Sequence, residues 1–577
     1  MRILSLSLAA AVGGLSAIVV PAAAAACGGF FCSQSALVVQ TAERILFMQL
    51  DDNTIETHVQ ISYTGPSEDF AWIVPTPSQP VLSLGSDTIF QSLDAIGPPI
   101  EITVGDTVGT CREQPPFQAD DTTAMDAGVG GDADGGGVTV IALETVGPFD
   151  TAIIQATAVE PMMEWLDTNG YDLPPQTAAL LTPYVQGDMY FLALKLTKDA
   201  SAGDLQPIAM TYTASAPMIP IQLTAIAAAD DMPIQTWIIA DQYAAPANYA
   251  EVEPNHISVI TGSWEAAARR AVDSLDERSM TRTFADEAAP LADGFYFEAY
   301  EQGLERLRGI SDATELYNSI RFNELSGLIQ SSPLGLPSLQ FCAPVPDSVT
   351  EQGIEALDFY NCPDCYLENS EEWTSPGGDA CADFIDERLI EPLRRVAGYF
   401  NELRTASRFD TWLDADEMDL DPMFCWDDAR QARETLRGTR TRYCRDDLYD
   451  YEAPTRWDVD GLTLFPNENG AYEGLDALSP VSQITRHGCG QGPDDVVSME
   501  NDAARGALQT ESRETFLAWF GEVDPADEPG GDGNGGSDDD GGRRAVSGAG
   551  CTAASAAGAW PALGALLALG LRRRRRS

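Results

Sequence analysis

The sequence contains few of the residues on which common catalytic motifs depend. It has two lysines, Lys195 and Lys198, and three histidines, His58, His256 and His487. Neither lysine follows a glycine, which excludes a Walker-type phosphate loop, and the H-E-x-x-H zinc motif is absent. The G-x-S-x-G turn of serine hydrolases is absent as well. The sequence therefore carries no recognisable catalytic motif.

Basic residues are scarce relative to acidic ones. The chain has 34 lysines and arginines against 89 aspartates and glutamates, which gives a formal net charge of −55. Binding to nucleic acid requires clustered Lys and Arg to neutralise phosphates. We therefore expect no nucleic-acid partner. The same acidity favours solubility and attracts divalent cations without specificity.

Two acidic clusters raise the hypothesis of calcium binding. They consist of Asp410, Asp414, Asp416, Asp419 and Asp421, and of Asp458 and Asp460. Hard cations require several oxygen ligands close together. Neither cluster fits the EF-hand pattern, because Leu462 occupies the third ligand position of the second one. The sequence favours no cofactor and leaves calcium as an alternative.

The N-terminus reads as an export signal. Arg2 precedes an apolar stretch over residues 3–20, and an alanine run then ends at Ala26 before Cys27. A basic start, an apolar middle and an A-x-A site are typical of a secretory signal peptide. We expect residues 1–26 to be removed by cleavage between Ala26 and Cys27. Lipidation of Cys27 is the alternative.

The C-terminus reads as a membrane or sorting segment. Residues 553–571 carry no charge, and as a helix they would span about 28 Å, close to a bilayer core. Five arginines follow, and the positive-inside rule places them in the cytoplasm. They are Arg572, Arg573, Arg574, Arg575 and Arg576. The sequence thus predicts one C-terminal transmembrane helix with the preceding chain outside the cytoplasm.

The C-terminal segment has a Gly-Cys pair, Gly550 and Cys551, followed by an alanine-rich apolar run and terminal arginines. In these shared features it resembles the MYXO-CTERM sorting tails of myxobacterial surface proteins. The resemblance covers residues 550–577. It implies that a sorting protease removes the helix near Cys551, and that Cys551 then anchors the product at the cell surface. The alternative is a permanent single-pass anchor in which the cysteine has no role.

The cysteines favour an oxidising compartment. The chain has eleven, and ten remain when Cys551 is set aside, an even number that allows five disulfides. The ten candidates are Cys27, Cys32, Cys111, Cys342, Cys362, Cys365, Cys381, Cys425, Cys444 and Cys489. The C-x-x-C pair at 362 and 365 is also typical of redox or zinc sites. Export favours structural disulfides over both kinds of site. For Cys489 as well, a disulfide is favoured over a thiol nucleophile with the neighbouring His487 as its base.

Residues 27–262 are predicted to form a strand-rich domain of the α+β class. Short β-branched and aromatic runs at 36–39, 44–48, 58–63 and 70–75 are separated by turn-forming residues. Helical patterns interrupt them at 88–95 and 162–169, the second ending at Gly170. His58 lies in a strand pattern, which favours a structural role for it. An Asp- and Gly-rich stretch over 118–137 is predicted to be a disordered insert.

Five motifs of this region resemble the bacterial domain-of-unknown-function family 2330 in order and spacing. They are CGGFFC at 27–32, AWIVP at 71–75, GPFD at 147–150, WLDTNGY at 165–171 and IPIQLT at 219–224. The resemblance covers about residues 27–250. It implies a fold unit and a compartment, and it supplies no catalytic residues.

Residues 263–523 are predicted to form a mainly helical domain that is crosslinked by disulfides. Apolar residues recur at helical spacing over 265–275, 295–307, 313–328, 382–404 and 427–436. Residues 524–550 form an acidic, Gly-rich tether that is too polar to pack, and the sorting tail occupies 551–577.

These features predict an exported, cell-surface-anchored protein with a non-enzymatic envelope or interaction role. The expected partners are a processing protease at the tail and the membrane, reached through the C-terminal helix or a lipidated Cys551. One alternative is an extracytoplasmic hydrolase without a recognisable motif, which a deep pocket with convergent polar side chains would favour. A second alternative is a calcium-dependent adhesion module.

Overall fold

The computed structural model describes residues 39–64, 71–112, 139–171, 173–196, 206–367, 372–427 and 429–521. The predicted signal peptide, insert, tether and sorting tail lie outside these residues, and so do Cys27, Cys32 and Cys551. Within the described residues, no helix combines the length and apolar character needed to cross a bilayer. The predicted membrane helix over 553–571 lies outside them.

Strands dominate the N-terminal part, as the sequence predicts. The strands are β1 (Val39–Asp51), β2 (Thr54–Thr64), β3 (Ala71–Thr76), β4 (Val81–Leu84), β5 (Ile100–Val104), β6 (Thr139–Val146), β7 (Phe149–Gln155), β8 (Tyr190–Leu196), β9 (Ile208–Thr213), β10 (Met232–Ala240), β11 (Tyr243–Pro246) and β12 (Ala250–Pro254). The helices are α1 (Asp87–Asp94), α2 (Val159–Thr168), α3 (Thr177–Gln186), α4 (His256–Thr261) and α5 (Trp264–Asp273). The mixed α+β class is confirmed.

Local signals account for several of these helices. The side chains of Ser86, Asn255 and Ser263 accept hydrogen bonds from the first backbone N–H groups of α1, α4 and α5. Gly170 follows α2 with a φ of +75°, a conformation that a residue with a side chain rarely adopts. The helices predicted at 88–95, 162–169 and 265–275 are therefore confirmed.

The C-terminal part mixes helices and strands. Its helices are α6 (Ala289–Ala292), α7 (Ala299–Leu307), α8 (Ala313–Phe322), α9 (Ser326–Ser331), α10 (Gly335–Cys342), α11 (Asp347–Thr350), α12 (Ala356–Asn361), α13 (Gly378–Ile385), α14 (Glu391–Glu402) and α15 (Asp502–Phe520). Its strands are β13 (Ser279–Glu287), β14 (Thr405–Leu413), β15 (Phe424–Asp427), β16 (Leu436–Arg442), β17 (Thr455–Val459), β18 (Leu462–Leu464), β19 (Val481–Arg486) and β20 (Asp495–Ser498). The prediction of a mainly helical domain is wrong for the segment that holds β14 to β20.

The physical reason for this correction is a long sheet that draws strands from both parts of the chain. Its order is β20-β19-β12-β13-β14-β10-β1-β2-β9-β4. Strand β10 pairs in parallel with β1 and antiparallel with β14. Strands on the two sides of residue 262, such as β12 and β13, are hydrogen-bonded neighbours. Smaller sheets have the orders β3-β8-β7-β6, β18-β17-β16-β5 and β11-β15.

Strand β1 shows how the layers are built. Ile45 and Phe47 point toward the sheet β3-β8-β7-β6, while Leu46 and Met48 point toward the helices α6 to α14. All four are buried, because successive side chains of a strand face opposite sides and both sides are covered. Trp237 of β10 joins the helical side with no exposed surface. Burying a large apolar side chain contributes about 1.5–3 kcal/mol.

Helices α2 and α3 cover the far face of the smaller sheet. Met162, Trp165 and Leu181 of these helices pack against Ile73 and Phe191 of that sheet. The order of layers is thus two helices, the four-stranded sheet, the ten-stranded sheet and the α6 to α14 helices.

Two further helical predictions differ from the structure. The pattern over 313–328 is split at Asn323, whose side chain accepts from the N–H of Leu325. Residues 427–436 are predicted to be helical, but the described residues 429–435 lie between β15 and β16 without helical structure, since Arg430 and Arg433 form ion pairs with Glu251 and Glu253. The pattern over 382–404 is confirmed by α13 and α14, which a π-helical segment, Asp386–Ile390, joins.

Eight of the ten candidate cysteines form four disulfides. The pairs are Cys111–Cys444, Cys342–Cys381, Cys362–Cys365 and Cys425–Cys489. The C-x-x-C pair is therefore closed on itself, and Cys489 is bonded, as predicted.

We predict that the disulfides differ in their contribution to stability according to loop length. The Cys342–Cys381 bond has a sequence separation of 39, and the Cys362–Cys365 bond one of 3. The chain-entropy model gives about 4 and about 2 kcal/mol for loops of these sizes. Replacing both cysteines of the longer loop by alanine should therefore lower the free energy of unfolding about twice as much as the same change in the shorter loop. Guanidinium unfolding without reductant measures this, and equal losses would contradict the prediction.

Candidate functional site

A cavity of about 280 Å³ lies between the long sheet and strand β3. Residues from β1, β2, β9, β3 and the turn after β9 form its walls. The lining consists of Glu43, Ile45, Phe47, Thr57, Val59, Trp72, Ile73, Val74, Pro75, Thr76, Pro77, Met210, Tyr212, Ala214, Ser215, Ala216, Met218, Pro220 and Thr224. Most of these side chains are apolar, because the cavity is a gap within the core that the two sheets share.

Glu43 is the one ionisable carboxyl group in the lining. It is 5% exposed and accepts a hydrogen bond from Gln40 Nε2 at 3.0 Å, and Thr224 also hydrogen-bonds to it. Burial raises the pKa of Glu43 to about 7, because a charged carboxylate loses its hydration there. The group can therefore take up or release a proton near neutral pH.

Two hydroxyl groups form a second polar point in the lining. Thr57 Oγ1 and the Tyr212 hydroxyl are 2.8 Å apart. Burial raises the pKa of Tyr212 to about 12, which keeps the phenol protonated. The described residues that line the cavity include neither histidine nor cysteine. This arrangement suits an apolar ligand with one neutral hydrogen-bonding group, and it offers no paired nucleophile and base.

The opposite face of β2 carries a buried ion pair. His58 Nε2 lies 2.8 Å from Glu56 Oε1, and Arg395 of α14 contacts the same oxygen at 3.1 Å. Burial lowers the pKa of His58, so the neutral ring donates from Nε2 to Glu56. Burial acts to raise the pKa of Glu56, but the contacts with His58 and Arg395 outweigh it and bring it to about 2. Glu56 thus connects the sheet to α14 through Arg395, and His58 donates to the same carboxylate.

A polar groove of about 700 Å³ lies toward the other end of the long sheet, beside β12 and β19. Arg430 Nη2 binds both oxygens of Glu251 at 2.7 and 2.8 Å, and Arg433 Nη1 binds Glu253 at 2.8 Å. Burial acts to raise the pKa of Glu251, but Arg430 and the nearby His487 and Arg282 hold it well below its usual range. No local sequence pattern predicts these pairs, since their partners lie about 180 residues apart.

His256 lies in the same groove between two carboxylates. Its Nδ1 is 2.6 Å from Asp460 Oδ2, and its Nε2 is 3.1 Å from Glu253 Oε1. Burial acts to lower the pKa of His256, but the two carboxylates outweigh it and raise it to about 9. Asp458, the other acid of the predicted second cluster, accepts from Arg456 and Thr463 instead.

The acids of the first predicted calcium cluster make separate contacts. Asp410 accepts from Arg408, Asp419 from Arg278, and Asp421 from the Tyr184 hydroxyl. Asp414 accepts from the backbone N–H of residue 231, and Asp416 is exposed. None of these belongs to the groups of described residues whose ligand atoms could share one ion.

Two such groups occur among the described residues. One contains Cys111, Cys444 and Asp450, but its two sulfurs are joined in a disulfide. The other contains Asp427, His487 and Asp494, with ligand atoms within 4.8 Å of one another. This second group is not predictable from the sequence, because about sixty residues separate its first two members and no spacing rule connects them.

The structure defines an α+β protein with an apolar cavity between two sheets and a polar groove beside the longer one. Residues 21–291 match the family described as an uncharacterized protein conserved in bacteria (DUF2330). This segment is therefore similar to that domain family, and it extends beyond the expected end near residue 250. The whole lining of the cavity lies within it. No curated protein and no solved structure matches the chain.

We predict that Glu43 makes stability depend on pH. Its pKa is about 7 in the folded chain and near 4.5 when unfolded, so the folded state holds the proton more tightly. Stability is then greatest below pH 4.5 and is lost as the pH rises through 7. Between pH 5 and pH 8, the free energy of unfolding should fall by about 2–3 kcal/mol more in the wild type than in Glu43→Gln. Urea unfolding at several pH values measures this, and parallel curves would refute it.

Proposed function

We propose that this protein is an exported, cell-surface-anchored binding protein without enzymatic activity. Its ligand is a small apolar molecule with one neutral hydrogen-bonding group, held in the cavity between the two sheets. The observation that carries this proposal is the lining itself, an apolar enclosure with a protonatable carboxyl at Glu43 and a hydroxyl pair at Thr57 and Tyr212.

The same lining argues against the hydrolase alternative. Hydrolysis requires convergent polar groups, usually a nucleophile within hydrogen-bond reach of a base. The pocket of the family domain instead surrounds its two polar points with apolar side chains such as Phe47, Trp72 and Met210. Apolar walls with two polar groups are sufficient for binding a small apolar ligand.

The disulfides support the proposed compartment. Disulfides persist in oxidising environments outside the cytoplasm and are rare within it. The four bonds therefore agree with a signal peptide cut between Ala26 and Cys27 and with display of the folded chain outside the cytoplasm. A sorting protease then acts near Cys551, and the membrane is reached through a lipidated Cys551 or through the apolar tail. The net charge of −55 supports the expectation that nucleic acid is not a partner.

We predict that the folded protein binds N-phenyl-1-naphthylamine, a fluorescent apolar compound with a single N–H donor. Binding should appear as a saturable rise in fluorescence with a stoichiometry of one. Val59→Phe places a larger side chain in the cavity and should weaken binding about tenfold or more, since the cavity is of similar size to the probe.

Val81→Phe is the matched control, because it makes the same chemical change at a residue that is 70% exposed and outside the lining. Its affinity should equal that of the wild type. Equal affinity of Val59→Phe and Val81→Phe, with both variants folded by circular dichroism, would place the binding elsewhere and refute the assignment.

We also predict the state of the C-terminus in the protein isolated from its own cells. Mass spectrometry of the C-terminal peptide should find an end at or near Cys551, added lipid mass, and no peptide containing Arg572 to Arg576. An intact tail would instead establish a permanent single-pass anchor and would remove the sorting protease from the list of partners.

A further inference from the structure

The Cys425–Cys489 disulfide brings together two side chains from distant parts of the sequence. Its Cα atoms are 5.8 Å apart. Asp427 lies two residues after Cys425, and His487 lies two residues before Cys489. The crosslink thus holds an aspartate and a histidine side by side at the edge of the polar groove.

A short turn adds a second carboxylate. The backbone N–H of Gly488 donates to Asp494 Oδ1 at 2.9 Å, which directs Oδ2 to within 3.0 Å of His487 Nδ1. The side chain of Asp427 accepts a hydrogen bond from the N–H of Ala429 at 2.9 Å. The ligand atoms of the three side chains all lie within 4.8 Å of one another.

The remaining ring nitrogen of His487 faces a carboxylate from another strand. Nε2 lies 3.0 Å from Glu251 Oε2 and 2.9 Å from Arg430 Nη1, while Arg430 Nη2 binds both oxygens of Glu251. A metal-binding histidine commonly donates its other N–H to a carboxylate, which fixes the ring and makes the free nitrogen a better ligand. The side chain of His487 is 5% exposed and that of Asp494 is 37% exposed, so the ring is enclosed while the site stays open on one side.

We propose that Asp427, His487 and Asp494 bind one divalent transition-metal ion of the Zn²⁺ type. Two carboxylates and one imidazole are a suitable donor set for Zn²⁺, and three protein ligands leave a fourth position for water or a ligand. The separation of 3.0 Å between His487 Nδ1 and Asp494 Oδ2 is close to the about 3.4 Å expected for two ligands of a tetrahedral ion. The fourth position faces the groove, which all three residues line.

His256 provides an internal comparison. It also lies between two carboxylates in this groove, but Asp460 contacts Nδ1 and Glu253 contacts Nε2. The two acids are thus on opposite sides of the ring and do not share an ion with it. The cluster at His487 differs because Asp427 and Asp494 come together with one another as well as with the ring.

The test is isothermal titration of the oxidised full chain with Zn²⁺ after treatment with EDTA. Millimolar Mg²⁺ in the buffer occupies exposed carboxylates, so that only a specific transition-metal site is measured. We expect a stoichiometry of one. Co²⁺ bound at the same site should give visible absorption without a sulfur-to-metal charge-transfer band, because the ligands are oxygen and nitrogen.

Asp427→Asn should lower the affinity for Zn²⁺ on the order of tenfold or more, because it removes a charged ligand and keeps the acceptor for Ala429. His487→Gln should abolish binding. His256→Gln is the matched control and should bind as the wild type does. Absence of a site with a stoichiometry of one would overturn the proposal, and so would equal affinities of Asp427→Asn and the wild type, or loss of binding in His256→Gln.

Discussion

The two-sided burial of the central strands is the constraint on which the rest of the structure depends. Strands β1 and β10 have core side chains on both faces, so each face of the long sheet must be covered by another layer. The helices α6 to α14 cover one face, and the smaller sheet covers the other. The cavity exists because two twisted sheets packed face to face leave a gap where side chains do not fill the space between them. The cavity is thus part of the same core that holds the fold together.

The groove is built on a different principle. Two of its arginines, Arg430 and Arg433, are almost buried, and each is bound to a glutamate of β12. Removing one member of a buried pair leaves an uncompensated charge, so such pairs act as firm connections between distant segments. They attach the connection between β15 and β16 to β12. The chain has far fewer basic than acidic residues, so most carboxylates have no arginine partner. The positions of the arginines therefore determine which carboxylates of the groove are neutralised and which stay available.

The features that the sequence predicted correctly are those that depend on neighbouring residues. Helices α1, α2 and α5 follow from the periodicity of their apolar residues and from their capping residues, which include Gly170 after α2. The formation of disulfides follows from the even number of candidate cysteines. The ten-stranded sheet did not follow, because β13 and β14 pair with strands from the other part of the chain and no local pattern encodes that pairing. The predicted helix over 427–436 failed for the same reason, since Arg430 and Arg433 bind acids that lie far away in sequence. The cluster of Asp427, His487 and Asp494 depends on the Cys425–Cys489 disulfide, and cysteine spacing alone does not predict that these two cysteines pair.

The Cys111–Cys444 disulfide spans 333 residues and joins the region after β5 to the end of β16. A single backbone cut anywhere between these two cysteines leaves both fragments attached to each other by a covalent bond. Under the proposed display at the cell surface, a nick by an extracellular protease in this segment would leave the N-terminal portion covalently linked to the C-terminal portion. Shedding from the cell would require either a second cut outside this loop or reduction of the bond.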